Sequence, residues 1–300
     1  ESDIYAAPAA EVGALHEQLY RGEIVRFSDV PAMQALAAYA RAFVEERLAP
    51  HDPIRIHEAL DRQALAEALD AVQRAFSNDA EAKRLWRALF EAVGLAPDDT
   101  ARDRLLIRFQ PPVPEDGEPH RARSTATVGF HRDSWGTNLY AQVNWWAPVW
   151  PITAGRTFAF LPALFDQPIP NDSADFDLAE VMARRRAGAA SADRGRMAPR
   201  PLAPIDPAQG TPVLIGPGEI IAFSAQHAHV GVVNRTGLTR ISLETRTLRI
   251  SDHRVGRGAL NVDGRARWTA YGLFRQLSDG RPLAELLGVP ALEPFRADLP

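Results

Sequence analysis

The chain has 300 residues, 46% of them hydrophobic and 24% charged, the composition of a globular protein with enough material for a substantial core. A formal net charge of −4 offers no broad basic surface to nucleic acid or to an anionic membrane, and the absence of cysteine excludes disulfides, thiolate metal sites, iron–sulfur clusters and cysteine nucleophiles. No apolar run reaches the ~18–20 residues that span a bilayer, and the N-terminal residues lack a basic-then-apolar leader, so the expectation is a soluble protein of the cytoplasm.

The first hundred residues read as helical. Leu36, Tyr39, Ala40, Phe43 and Val44 recur at helical spacing, as do Leu65, Leu69, Val72 and Phe76. Asn78 with Glu81 forms a helix-start pair, and Gly94 is a stop after Leu85, Leu89 and Val93. From Arg104 the pattern changes to short strands: 105–109, then, after a polar loop over 111–123, 125–130, 139–146, 157–161, 212–215, 219–224 and 239–250. Turns such as Gly216-Pro217-Gly218 separate them, which argues for an antiparallel sandwich or barrel and against a doubly wound sheet. A long insertion over 167–209, containing Ala183-Arg184-Arg185-Arg186, reads equally as a solvated surface excursion or as a substrate lid. The last fifty residues are expected to return as helix, with Trp268, Tyr271 and Phe274 on the barrel, all within one domain over 1–300.

Metal chemistry in a chain without cysteine must use His, Asp and Glu. His131-Arg132-Asp133 closes a strand-like segment, and residues i and i+2 of a strand point to one side, so an imidazole and a carboxylate can meet on one ion. His229 offers a third ligand, and two histidines with one carboxylate suit non-haem Fe(II) with positions left open. His227 points the same way, but Arg240 follows His229 by eleven residues and His227 by thirteen. On the strand around Arg240, the polar Arg240, Ser242, Glu244 and Arg246 share one face while Ile241 and Leu243 take the other, the pattern of a pocket lining. Arginine supplies a planar fork for a carboxylate. Gln142, Asn144 and Trp146 share a face of their own strand, and Trp135, Trp146 and Arg156 are candidate pocket walls.

The order His131-x-Asp133, His229, Arg240 resembles the Fe(II)/2-oxoglutarate-dependent oxygenases of the phytanoyl-CoA dioxygenase-like branch, over roughly residues 104–250. The string from His229 through Asn234 and Gly237 to Arg240 is its most specific part. The resemblance implies a double-stranded β-helix (jelly-roll) core with flanking helices, and Fe(II) held by His131, Asp133 and His229. It further implies 2-oxoglutarate anchored by Arg240, assisted by Ser242 and with Asn144 as a further contact, and O2 as oxidant. Arg246 is then a substrate-side or structural residue, with Trp135 and Trp146 beside the substrate. The reaction implied is oxidation of a small molecule with release of succinate and CO2. Asp133 favours hydroxylation over chlorination, because related halogenases carry a small residue there; desaturation, cyclisation and epimerisation use the same ligands. Lys83 is the only lysine among 34 basic residues, a bias of GC-rich, bacterial genomes, and bacterial relatives of this branch often tailor natural products.

Two other classes compete. A cupin-type metalloenzyme without 2-oxoglutarate would want more histidines, and His120 and His253 stand alone. A non-enzymatic jelly-roll binding protein gives Arg240 no reason to follow His229 on a polar face.

Overall fold

The computed structural model describes residues 4–9, 13–114, 117, 125–186 and 198–294. After β1 (Tyr5–Ala6), α1 (Ala14–Tyr20) and β2 (Ile24–Phe27), the chain forms α2 (Pro31–Leu48), the short α3 (Ile56–Ala59), α4 (Arg62–Asn78) and α5 (Ala80–Ala92). The expected apolar stripes are the buried faces of α2, α4 and α5. The start of α5 lies one residue later than the sequence suggests. Asp79 takes extended backbone geometry and its carboxylate accepts from the Ala82 N–H at 2.8 Å, whereas Asn78 is still helical and donates back to the Arg74 carbonyl. Gly94 ends the unit in the left-handed region at φ +86°.

The β core follows with β3 (Thr100–Arg102), β4 (Leu106–Gln110), the one-turn α6 (Ser134–Thr137), β5 (Gln142–Pro148), β6 (Phe158–Phe160), α7 (Leu178–Arg186), β7 (Thr211–Pro212), β8 (Ile220–Ser224), β9 (His229–Gly231) and β10 (Arg240–Arg249). The larger sheet has the order β1-β2-β8-β5-β10-β3-β12, with β4 also on β10, where β12 is Arg275–Gln276. The smaller sheet runs β7-β6-β9 and is extended by an isolated bridge between His131 and His229. Together they make the two walls of a jelly roll. Strand β2, in the part expected to be helical, borders β8; four residues between two helices carry too short a pattern to stand out.

Alternation decides what each wall faces. On β8 and β5, Ile220, Ala222, Val143, Trp145 and Ala147 join the helices in one large cluster, while Ile221, Phe223 and Trp146 turn inward to Phe158 and Phe160 of the smaller sheet. The helices thus cover the outer face of the larger sheet and leave its inner face for the site. Segment 125–130 is not the regular strand expected: it runs beside β9 through Gly231 N–H to the Val128 carbonyl at 2.8 Å and then the bridge at His131. The 111–123 loop falls largely outside the described residues.

The described parts of the insertion are tied down. The Asp172 N–H donates to the Arg200 carbonyl and Leu202 N–H to the Pro170 carbonyl, while Phe176, Leu178 and Val181 pack with Ala270 and Trp268. Over 251–294, the described part of the last fifty residues, the chain is not mainly helical. It holds α8 (Ile250–Arg254), α9 (Leu283–Leu287) and the two-residue strands β11 (Trp268–Thr269), β12 and β13 (Glu293–Pro294). Some of its backbone N–H groups donate to earlier parts of the chain, as Ala259 to the Tyr140 carbonyl, Ala270 to Thr137 and Leu277 to Thr100, and a Cβ on Gly258 would stand 2.6 Å from the Tyr140 carbonyl carbon. Tyr271 and Phe274 do pack into the main core.

Phe90 sits fully buried between Trp86 and Trp145, at ring distances of 5.3 and 5.5 Å. Phe90→Ala should therefore destabilise the chain by about 3–5 kcal/mol in chemical denaturation, as helix and sheet lose their shared contact.

Candidate metal centre

His229 begins β9, and β6 flanks it with Phe160 opposite. On its other side the His131 N–H donates to the His229 carbonyl and the His229 N–H to the His131 carbonyl, both at 3.1 Å. This reciprocal pair puts the two imidazoles side by side, ring centroids 4.3 Å apart. The chain then leaves the sheet. Asp133 has helical backbone angles and opens α6, so its carboxylate reaches the imidazoles from a strand-to-helix turn and not from a strand. One ligating atom from each of His131, Asp133 and His229 lies within 4.8 Å of the others, with His229 Nε2 4.0 Å from Asp133 Oδ2.

Both rings are oriented from behind. His131 Nδ1 is 2.9 Å from the Gly129 carbonyl, and His229 Nδ1 is 2.9 Å from the His227 carbonyl. A carbonyl can only accept, so each Nδ1 carries a proton, which in a neutral ring leaves the lone pair on Nε2. Burial, and next the neighbouring His229, push the His131 pKa down to about 4, which keeps that ring neutral and ready to ligate.

Asp133 is held at both oxygens. Arg246 Nη2 donates to Oδ1 at 2.6 Å and Asn144 Nδ2 to Oδ2 at 2.7 Å; Gln142 Nε2 in turn donates to Asn144 Oδ1 at 2.9 Å. Burial acts to raise the Asp133 pKa, but Arg246, then the two imidazoles and Asn144, outweigh it and hold the carboxyl at about 2. Asn144, expected beside the cosubstrate, is committed to the carboxylate, and Arg246, expected as a substrate-side or structural residue, takes the structural place beside it. Arg246 also faces Asp103, at 3.6 Å.

Farther along the same inner face lies Arg240, 8% exposed, with Nε and Nη1 lacking any hydrogen-bond partner among the described residues. Burial presses its pKa down to about 10, Glu244 pulling the other way. A buried guanidinium with idle donors is costly, and an anionic ligand is what would satisfy it. Ser242 Oγ donates to Glu244 Oε1, and Arg108 Nη1 to Glu244 Oε2, each at 3.3 Å. Arg108 escaped the sequence reading; the signal was the inward set Leu106, Arg108 and Gln110 on β4, which pairs residue by residue with β10.

The other candidates separate cleanly. His227 is buried with its ring nitrogens on the Gly22 and Ser224 carbonyls, 3.0 and 3.2 Å away, and is not part of the ligand cluster. Trp135 is fully buried, packs on Phe130 and donates from Nε1 to Asp263, so it is no pocket wall. Trp146 does face inward, 5.1 Å from the Phe158 ring, with an unpartnered indole N–H. Arg156 is buried and donates to the Pro151 carbonyl. His253 meets the Tyr271 hydroxyl, and His120 lies outside the described residues. A separate cavity of about 770 Å³ beside His57, Leu65 and Thr236 shares no residue with the triad.

No family model matches the chain, and no curated protein matches it. Several solved structures are similar. The apo non-heme monooxygenase ThoJ has a TM-score of 0.47 at 16% identity, covering 78% of this chain and 76% of its own. EvdO2 from Micromonospora carbonacea var. aurantiaca, complexed with 2-oxoglutarate, has 0.43 at 13% identity, covering 80% and 92%. The epimerase SnoN, in complex with Fe3+, alpha ketoglutarate and nogalamycin RO, has 0.39 at 16% identity, covering 78% and 84%. What this site can do follows from its own side chains.

The Arg246 contact can be tested on metal alone. Arg246→Gln should weaken Fe(II) binding by about 10- to 100-fold in an anaerobic competition titration, with far-ultraviolet circular dichroism unchanged and Arg246→Lys falling in between.

Proposed function

We propose that the chain is a Fe(II)- and 2-oxoglutarate-dependent oxygenase acting on a small molecule. The observation that carries this reading is the pairing of two groups turned into one interior: a His131–Asp133–His229 cluster borne by the smaller sheet and the turn after it, and, on β10 of the larger sheet, a buried Arg240 guanidinium with donors unpartnered among the described residues. Two imidazoles and one carboxylate, with no thiolate in the chain, are the donor set of non-haem Fe(II) and leave positions for further ligands. Arg240 offers a fork to the far carboxylate of a dicarboxylic acid, and Ser242 stands beside it on the same face of β10.

When bound, the iron and 2-oxoglutarate supply the oxidising power: one O2 and one 2-oxoglutarate yield succinate, CO2 and a hydroxylated substrate. The chain's own side chains do the rest. His131 and His229 are oriented by the Gly129 and His227 carbonyls, Arg246 and Asn144 fix the Asp133 carboxylate, and the apolar lining from Trp146, Phe158 and Phe223 excludes water. Hydroxylation is the reaction we favour, because Asp133 occupies the position that a halide would need; desaturation, cyclisation and epimerisation share these ligands. Natural-product tailoring in a bacterial cytoplasm is the setting we favour. Among the described residues no helix is long and apolar enough to cross a membrane, and the formal charge of −4 supports a small molecule over nucleic acid. A cupin-type enzyme without 2-oxoglutarate, or a binding protein, leaves Arg240 without an occupant.

The test is anaerobic loading with Fe(II), then succinate release from 2-oxoglutarate on admitting O2. Wild type should release succinate, and His131→Ala, Asp133→Ala and His229→Ala should not. Arg240→Leu should raise the dissociation constant for 2-oxoglutarate by about 10- to 100-fold, as expected for losing a hydrogen-bonded charge pair, while Fe(II) affinity stays the same. Turnover by the ligand variants at the wild-type rate would refute the reading.

A further inference from the structure

Arg132 stands between two candidate ligands, yet its side chain points away from them. It is fully buried, and all five of its N–H donors are used. Nε donates to Asp263 Oδ2 at 3.1 Å, Nη1 to the Phe165 and Gln226 carbonyls, and Nη2 to the Leu164 and Gln167 carbonyls. Each partner belongs to a stretch that frames the metal cluster. Gln226 lies in the turn that feeds His229, 164–167 follows β6, which pairs with β9, and Asp263 lies in the C-terminal part of the chain.

Asp263 is equally committed. Its Oδ1 accepts from Trp135 Nε1 at 2.7 Å and its Oδ2 also from the Ile169 N–H at 3.0 Å. Asn261 Oδ1 accepts from the Asp263 and Gly264 N–H groups, which makes a tight turn presenting the carboxylate. On either side the same segment is stitched to the chain just past the ligands. Ala259 N–H donates to the Tyr140 carbonyl at 2.9 Å, Asn138 Nδ2 to Thr269 Oγ1 at 2.9 Å, and Ala270 N–H to the Thr137 carbonyl at 3.0 Å. Residues 258–270 thus run along the turn that carries His131 and Asp133 while contributing no group to the cluster.

We infer that Arg132 and Asp263 are positioning residues that couple docking of segment 258–270 to the geometry of the metal centre. The inference rests on the metal-binding reading above. A guanidinium shared by the ligand turn, the turn before His229 and the C-terminal segment cannot keep its five bonds unless all of them hold their places. Fixing the ligands with a metal therefore fixes the station at which Asp263 docks. By linkage, loosening Asp263 weakens the metal by the same factor that metal strengthens docking.

The experiment is amide hydrogen exchange by mass spectrometry on the full chain, with and without Fe(II) under anaerobic conditions, beside Fe(II) affinity. In wild type, Fe(II) should slow exchange across 258–270 by about 10-fold or more, although no ligand lies there, and leave α4 unchanged. Asp263→Asn should lower Fe(II) affinity by about 10-fold and abolish that added protection. Trp135→Phe, which removes one donor from Asp263 and keeps an aromatic in the core, should produce a smaller loss of both and serves if Asp263→Asn does not fold. Fe(II) binding by wild type without protection of 258–270 overturns the coupling alone, as does a variant with wild-type affinity and protection. No Fe(II) binding by wild type overturns the metal reading and the coupling with it.

Discussion

Two reciprocal hydrogen bonds between the backbones of His131 and His229 hold the site together. They join a segment that is otherwise irregular to the edge of a three-stranded sheet, and they set two imidazoles from distant parts of the chain at bonding range of one point. Everything else at the site refines this contact. The Gly129 and His227 carbonyls choose the tautomers, and the turn into α6 swings Asp133 across to complete the set. The helices on the far face of the larger sheet matter here because they bury its outward residues and free the inward row for polar work.

Strand β10 shows how one periodicity serves two ends. Arg240 and Arg246 lie on the same face, yet their electrostatic states are opposite. Arg246 is matched by Asp133 and Asp103, which raise its pKa against the effect of burial, so it acts on a neighbour already present. Arg240 has burial without a hydrogen-bonded acid among the described residues, which is why the proposed reading gives it a dicarboxylate to hold. Between them Glu244 is shared by Ser242 and Arg108.

Much of this was legible from residue type and spacing. The polar face of 240–246 and the apolar stripes of α2, α4 and α5 come from periods of 2 and 3.6 that survive in the folded chain, whereas the triad was legible in residue type and order alone, since Asp133 arrives from a turn and not from the strand its spacing suggested. What escaped was set by contacts between distant segments. Trp135 was a candidate pocket wall, but it is fully buried and its indole N–H is taken by the Asp263 carboxylate. Asn144 looks like a cosubstrate contact, but α6 brings Asp133 to it. The C-terminal region was expected to be helical, yet glycines at 256, 258 and 264 and hydrogen bonds from Ala259 and Ala270 to Tyr140 and Thr137 accompany an irregular path over 258–267. Arg132, hidden between two ligands, gave no sign of the five acceptors awaiting it.

The most direct measurement is X-ray absorption spectroscopy of the chain loaded anaerobically with one equivalent of Fe(II). Convergence of His131, Asp133 and His229 on one ion predicts a nitrogen and oxygen environment whose outer-shell scattering corresponds to two imidazoles, falling to one in His229→Ala. A spectrum without imidazole scattering, or one unchanged in His229→Ala, would contradict the proposed centre.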